Sequence, residues 1–228
     1  MRYRRAKVTS SGSGNVTLWT ASNGKRAYIN AVSVYNTSGG SLSYFLNWLI
    51  GGTHYKLNTA LSVGAGASGQ VATSVVIILE PGESLTVNVT GSGLNIRARV
   101  VEYDSSVRLY APKKYSGWSS GDNTLYTVPT GYDAALLDGV GMLAQNTTSF
   151  NYFNASGGSV NNKWHNVPSG SSPATDNEVS ATTATANDAR LTHILSSTME
   201  EGDFINVNVN SASNTQIAWI IVAEKANV

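Results

Sequence analysis

One phrase occurs twice in this chain, and it limits the fold more than any single motif. Residues 79–89 read LEPGESLTVNV and residues 199–209 read MEEGDFINVNV. Each sets an acid before a glycine, an acid after it, and then an alternating run ending Val-Asn-Val. The two glycines, Gly82 and Gly202, stand 120 positions apart. Upstream, Leu18-Trp19-Thr20 before Asn23-Gly24 returns as Leu125-Tyr126-Thr127 before Thr130-Gly131, at a spacing of 107. Each copy closes on an apolar run with a glutamate near its end, Arg99-Val100-Val101-Glu102 and Ile221-Val222-Ala223-Glu224. Solenoid repeats have periods of roughly 20–50 residues, so a unit of this size is a duplicated domain. The growth in spacing from 107 to 120 assigns the second copy a longer middle insertion.

Within each copy the text alternates. Tyr28, Asn30, Val32 and Val34 sit opposite Ile29, Ala31, Ser33 and Tyr35, while Leu85, Val87 and Val89 share one face. In Glu80-Pro81-Gly82-Glu83 the proline presets φ and the glycine tolerates φ > 0, which together make a tight turn. Short runs with turn signals every roughly 8–12 residues indicate an antiparallel sandwich or barrel. The expectation is an all-β chain of two tandem antiparallel β-sandwich domains, in jelly-roll or immunoglobulin-like strand order. Residues 1–14 read as a flexible basic N-terminal arm, 15–105 as the first sandwich and 106–228 as the second. A connector spans 104–121, and its Val107, Leu109, Tyr110 and Trp118 give it the means to be a first strand of the second copy. The insertion, about 156–187, is almost entirely small and polar and reads as surface loops anchored by Trp164, Val167 and Val179. The one stretch that resembles a helix runs from Ala186 to Ser196, with Asn187 or Asp188 as its cap.

Composition narrows the function. The chain is 41% hydrophobic, so each copy has the means to bury a core, but only 13% is charged. A typical soluble protein carries roughly 25% charged residues, so this surface is built from Ser, Thr, Asn and Gly, which suits a chain packed in an assembly. A formal charge of +1 gives no global steering toward nucleic acid or an anionic membrane, and neither is expected as a partner. No cysteine is present, which excludes disulfides, thiolate chemistry and cysteine-based zinc sites. The basic N-terminus has no apolar stretch behind it, so it is not read as a signal peptide; no window approaches the ~20 apolar residues of a membrane helix. The expectation is synthesis in a host cytoplasm.

The search for chemistry finds little. Gly117-Trp118-Ser119-Ser120-Gly121 has the spacing of a hydrolase nucleophile elbow but lacks the strand-then-helix context such an elbow needs. His54, His165 and His193 show no metal-ligand spacing, and no calcium-loop pattern occurs. No catalytic residue, metal or cofactor is therefore expected. Glu80, Glu83, Glu200, Glu201 and Asp203 read as solvated hairpin charge. Five N-x-[ST] triplets, headed by Asn15, Asn36, Asn88, Asn146 and Asn154, fit chance in a text this rich in Asn, Ser and Thr. Two sets of residues remain as binding candidates. Arg2, Arg4, Arg5 and Lys7 are read as arm contacts to acidic residues on a neighbouring subunit, in preference to nucleic acid. Trp118 and Trp164 lie in polar text, where an exposed indole stacks on a sugar ring or anchors an interface.

The strand ending in Asn36-Thr37-Ser38-Gly39-Gly40, the aromatic strand after it, Glu80-Pro81-Gly82-Glu83-Ser84-Leu85-Thr86-Val87 and Leu94-Asn95-Ile96-Arg97-Ala98-Arg99-Val100-Val101-Glu102-Tyr103 resemble the small β-sandwich virion proteins of tailed bacteriophages. The second copy matches more loosely, through Glu200–Val209 and Ile217–Glu224. The resemblance implies a virion structural protein without enzymatic activity. Foremost it implies a homo-oligomeric capsid decoration or cement protein that binds major capsid, neck or tail subunits. The alternative it implies is a tail or neck fibre or adhesin module that binds a host receptor or surface glycan.

Overall fold

The computed structural model describes residues 1–58, 60–70, 77–143, 160–173, 178–184, 190–194, 197–209 and 217–227. All regular structure among them is β-strand, and the chain divides into two units, Met1–Val107 and Arg108–Val228.

Unit 1 contains β1 (Arg2–Thr9), β2 (Gly14–Thr20), β3 (Lys25–Asn36), β4 (Leu42–Ile50), β5 (Thr53–Lys56), β6 (Leu61–Val63), β7 (Ser68–Gln70), β8 (Ile77–Leu79), β9 (Ser84–Val89) and β10 (Leu94–Asp104). They form two antiparallel sheets. One runs β1-β10-β3 with β7 and β8 both paired to β3; the other runs β2-β9-β4 with β5 and β6 both paired to β4. Counting β5/β6 and β7/β8 as interrupted single strands, the eight strands follow the jelly-roll order. The period-2 pattern explains which faces meet. Ile29, Val32, Val34, Ile96, Ala98 and Val100 of the first sheet are buried, as are Leu46, Trp48, Leu85, Val87 and Val89 of the second. At Gly69 a Cβ would stand 2.9 Å from the Tyr44 hydroxyl on the opposite sheet and 3.2 Å from Val34 Cγ2, so that strand closes on the other layer only with glycine there.

Unit 2 contains β11 (Leu109–Tyr110), β12 (Lys113–Lys114), β13 (Gly121–Thr127), β14 (Tyr132–Leu143), β15 (Val160–Val167), β16 (Glu178–Ala184), β17 (Arg190–Ile194), β18 (Ser197–Met199), β19 (Phe204–Val209), β20 (Ala218–Trp219) and β21 (Ile221–Ala226). Its sheets repeat the order of unit 1. One runs β11-β21-β14 with β17 and β18 on β14, and the other runs β13-β19-β15-β16. Tyr126, Trp164, Ile205 and Val207 from one sheet pack with Ala134, Leu136, Met199 and Val222 from the other in one core.

The copies agree even in their irregularities. The β2–β9 ladder skips Leu18 and the β13–β19 ladder skips Leu125. The β3–β10 ladder skips Asn30 and the β14–β21 ladder skips Leu137. Both pairs of β-bulges keep the spacing of 107 seen at Gly24 and Gly131. A bulge re-aims a strand and raises its local twist, so shared bulges mean shared sheet shape.

The arm, the insertion and the helix candidate are corrected here, and the connector takes the strand its apolar residues allowed. Residues 2–9 are not a flexible arm; they form an edge strand paired along β10, with Arg2 opposite Glu102 and Thr9 opposite Asn95. The 104–121 segment contains the corresponding strand of unit 2. Leu109 lies opposite Ala223 and Lys113 opposite Trp219, in a single register. Aligned on Glu102 and Glu224, Arg2 matches Arg108 and Lys7 matches Lys113. Of the β1 side chains only Ala6 is fully buried, so the strand looks hydrophilic in the text although its backbone is fully paired on one side. The 156–187 insertion is likewise not all loop, because β15 and β16 form a hairpin within it. Residues 190–194 of the helix candidate are strand β17; its residues 186–189 and 195–196 lie outside the described residues.

Candidate functional site: a basic face on the first unit

The repeated acidic turn comes first, because it carries the densest acids in the chain. Its backbone is the same in both copies. The Gly82 N–H donates to Ala21 O at 2.9 Å and the Gly202 N–H to Val128 O at 3.1 Å. Both glycines sit in the left-handed region, at φ +87° and +83°. The acid after the glycine caps the turn. The Glu80 N–H donates to Glu83 Oε2 at 3.0 Å, and the Glu200 N–H donates to Asp203 Oδ2 at 2.9 Å. Glu83 also accepts from the indole N–H of buried Trp48 at 2.8 Å, and Glu80 is ion-paired with Arg26 at 2.7 Å. These carboxylates were expected to be solvated hairpin charge. In unit 1 they are structural acceptors instead, and Glu200 and Glu201 of unit 2 remain exposed.

A second carboxylate is fully enclosed. The Glu224 side chain has no exposed surface. It accepts from Tyr126 Oη at 2.6 Å, from Tyr110 Oη, and from the Arg108 guanidinium. Arg108 in turn lies 3.8 Å from the centroid of the Tyr132 ring. Burial first, and then the neighbouring carboxylate, push both tyrosine hydroxyls well above their ordinary value, so they stay donors. This cluster ties the first strand of unit 2 to its last, as the Arg4–Glu102 pair at 3.0 Å does in unit 1. With three donors on its enclosed carboxylate, it is a structural tie. Among the described residues no group of three or more His, Asp or Glu is placed to hold a metal ion.

The tryptophan candidates separate. Trp164 on β15 is completely buried in the unit 2 core, which corrects its reading as a surface contact. Trp118 is half-buried against that core, with the Lys114 ammonium 5.5 Å from its ring centroid.

The arm cations fall on two faces of β1. Arg4 turns toward Glu102, and Arg2 lies opposite the same residue. Arg5 and Lys7 point outward with Arg97 and Arg99 of β10. Arg5 is the cross-strand partner of Arg99, and Lys7 of Arg97; all four are exposed. The next row holds Ala31 and Ser33 of β3, whose small side chains leave a shallow groove of about 810 Å³ lined by Tyr3, Arg5, Arg97 and Arg99. Tyr3 and Tyr35 are exposed on the same sheet. Arg97 and Arg99 escape notice in the text because they stand about ninety positions from Arg5 and are separated by a buried alanine. Alternation around Ile96, Ala98 and Val100 is the signal that turns both outward.

No protein-family model matches the chain, and no curated protein does. Among solved structures there are weak neighbours. A conserved protein of unknown function, PA5104 from Pseudomonas aeruginosa PAO1, is 9% identical with TM-score 0.25, covering 98% of this chain and 80% of that one. A protein of an archaeal virus, described with a triple jelly-roll fold and turret assembly, is 13% identical with TM-score 0.30, covering 99% and 59%. The PBSX exported protein XepA is 8% identical with TM-score 0.28, covering 98% and 86%. At these scores the likeness carries no argument, and the architecture stands on the strand pairing above.

Proposed function

We propose that this chain is a structural component of a tailed-phage particle, a decoration or cement protein that binds other particle subunits through the outer faces of its sheets. Its work is binding and not catalysis. The observation that carries this reading is the duplication of one jelly-roll unit down to its bulges and turns, which supplies two like-shaped units in place of one cleft. Two linked units engage two neighbouring sites at once and raise avidity without new chemistry. The acid after the glycine, Glu83 or Asp203, caps the repeated turn itself in both copies. The sparse charge of the surface fits a protein packed among others.

The test is co-sedimentation of the purified protein with capsids and with tails lacking it, and separately with host envelope. Residues 2–9 are a strand, so the informative variant changes charge and not length. Binding to heads or tails, reduced by Arg5→Glu/Lys7→Glu, supports the reading and locates the protein. Binding to envelope alone, competed by soluble glycan and reduced by Trp118→Ala, overturns it in favour of a receptor-binding fibre module.

A further inference from the structure

The outward sheet face of unit 1 sets cation against cation across two neighbouring strands. Arg5 faces Arg99 and Lys7 faces Arg97. Like charges directly opposite on one sheet face destabilise it. Among the described residues none of the four is in an ion pair, although the unit forms such pairs elsewhere, at Arg4–Glu102, Lys25–Asp104 and Arg26–Glu80. The duplicate shows that the fold itself does not need charge here. The positions matching Arg97 and Arg99 are Trp219 and Ile221, both buried, and the position matching Arg5 is buried Ala111. The basic face is therefore particular to unit 1 and costs that unit stability unless an anion covers it.

The other half of the chain carries the complementary charge. Unit 1 holds nine Lys and Arg against four Asp and Glu, while unit 2 holds six against ten. Their formal charges are thus +5 and −4, a segregation hidden by the total of +1. The repeated turn shows where the sign changed. In unit 1, Glu80 is neutralised by Arg26. In unit 2 the matching residues are Glu200 and Asp133, both acidic. Exposed Glu201 sits beside them, its carboxylate accepting from the Gly131 N–H at 2.8 Å. Lys225 stands opposite Asp133 in the ladder, and no ion pair to Asp133, Glu200 or Glu201 occurs among the described residues. Arginine forks match carboxylates bidentately, and the groove beside Ala31 and Ser33 gives them room.

We propose that the basic face of unit 1 docks on the acidic turn end of unit 2 of a second copy, so that the chain associates head to tail. Such a contact is heterologous and grows into a ring or a filament, unlike a two-fold dimer, which closes at two. The inference stands apart from the particle reading. A chain that self-associates and ignores heads and tails defeats only that reading, and a chain that binds them but stays monomeric defeats only this one.

The test is sedimentation velocity of the full chain from about 5 to 500 µM, at about 20 mM and about 500 mM salt, where the Debye length contracts severalfold. Concentration-dependent association is expected at low salt and not at high salt. Arg97→Glu/Arg99→Glu and Glu200→Lys/Glu201→Lys are each expected to weaken it by about tenfold or more. Circular dichroism confirms that these surface variants fold. Mixing the two variants pairs the intact basic face with the intact acidic end and the two reversed surfaces with each other, so the mixture is expected to associate again where neither variant does alone. A wild-type chain that stays monomeric at low salt overturns the proposal, as does association that survives both variants. Saturable binding of a fluorescent single-stranded oligonucleotide, lost in Arg97→Glu/Arg99→Glu and unaccompanied by self-association, overturns it in favour of nucleic acid.

Discussion

Replacing Glu83 by alanine tests the account of the repeated turn. Glu83 directly follows the left-handed Gly82 of the bend it caps and reaches to the neighbouring strand β4, where it accepts the indole N–H of Trp48 at 2.8 Å. Trp48 is wholly buried, so alanine removes a charged acceptor from a buried donor. Hydrogen bonds to charged groups contribute about 1.5–3 kcal/mol, and an orphaned buried donor costs a similar amount. The Glu80 N–H also loses its acceptor, but it lies near the surface and water replaces the bond. A loss of about 2–3 kcal/mol is expected. Unfolding entropy is about 2.1 cal/mol/K per residue, so for a unit of 107 residues this lowers Tm by about 9–13 °C. Glu83→Gln keeps an oxygen in place and is expected to recover at least half of the loss. Asp203→Ala in unit 2 removes acceptors only from the Glu200 and Ser169 backbone N–H groups at the surface, and about 1 kcal/mol is expected. Urea unfolding followed by tryptophan fluorescence gives all three values. An alanine variant within about 0.5 kcal/mol of wild type, or a glutamine variant as damaged as the alanine one, refutes the role assigned to Trp48–Glu83.

Four further expectations follow from the same contacts. Gly82→Ala meets open space and suffers only its φ of +87°, about 1 kcal/mol, whereas Gly202→Ala also places its Cβ 2.6 Å from Ser169 Oγ; chemical denaturation should rank Gly202→Ala as the more damaging. Arg97→Glu/Arg99→Glu turns two like-charge cross-strand pairs into opposite ones and should raise the stability of the monomer by about 0.5–1.5 kcal/mol at low salt, read from the urea midpoint, while abolishing association. Burial beside the Phe45 ring lowers the Lys56 ammonium from 10.5 to about 8, so between those values the unfolded chain binds the extra proton. Stability of wild type relative to Lys56→Met should therefore rise as pH climbs from about 8 to 10.5 and stay level below that window. Tyr103, Tyr110 and Tyr126 are held above the ordinary 10 mainly by burial, so ultraviolet titration of the native protein should leave these three of eleven tyrosines un-ionised until unfolding releases them.

The sequence showed the duplication because the turn cannot vary freely. A left-handed glycine and an acid able to cap it survive in both copies where almost everything around them has changed. It also showed the all-β class, since Leu85-Thr86-Val87 and Ile205-Asn206-Val207 keep period 2. The first strand of unit 1 escaped recognition, and that of unit 2 was legible only as one of two readings. Arg2–Thr9 has one buried side chain and so resembles an unstructured tail, while 108–114 is interrupted by Pro112 and so resembles a linker. Trp164 misled because indole burial depends on which strand lies across from it, here Val207 of β19, 43 positions away. The basic face was illegible for the same reason. Arg5 and Arg99 become neighbours only when the first strand of the unit pairs with its last.

That pairing of first strand with last has an architectural consequence. Arg2 stands opposite Glu102, and in the second copy Leu109 stands opposite Ala223, so each unit takes in the chain and releases it at adjacent points on one edge. A polypeptide that exits where it entered behaves as a cassette. One copy can be gained, deleted or exchanged by recombination without rerouting the strands of its neighbour. The genetic doubling written into this chain needed no new topology, only a second turn through the same circuit.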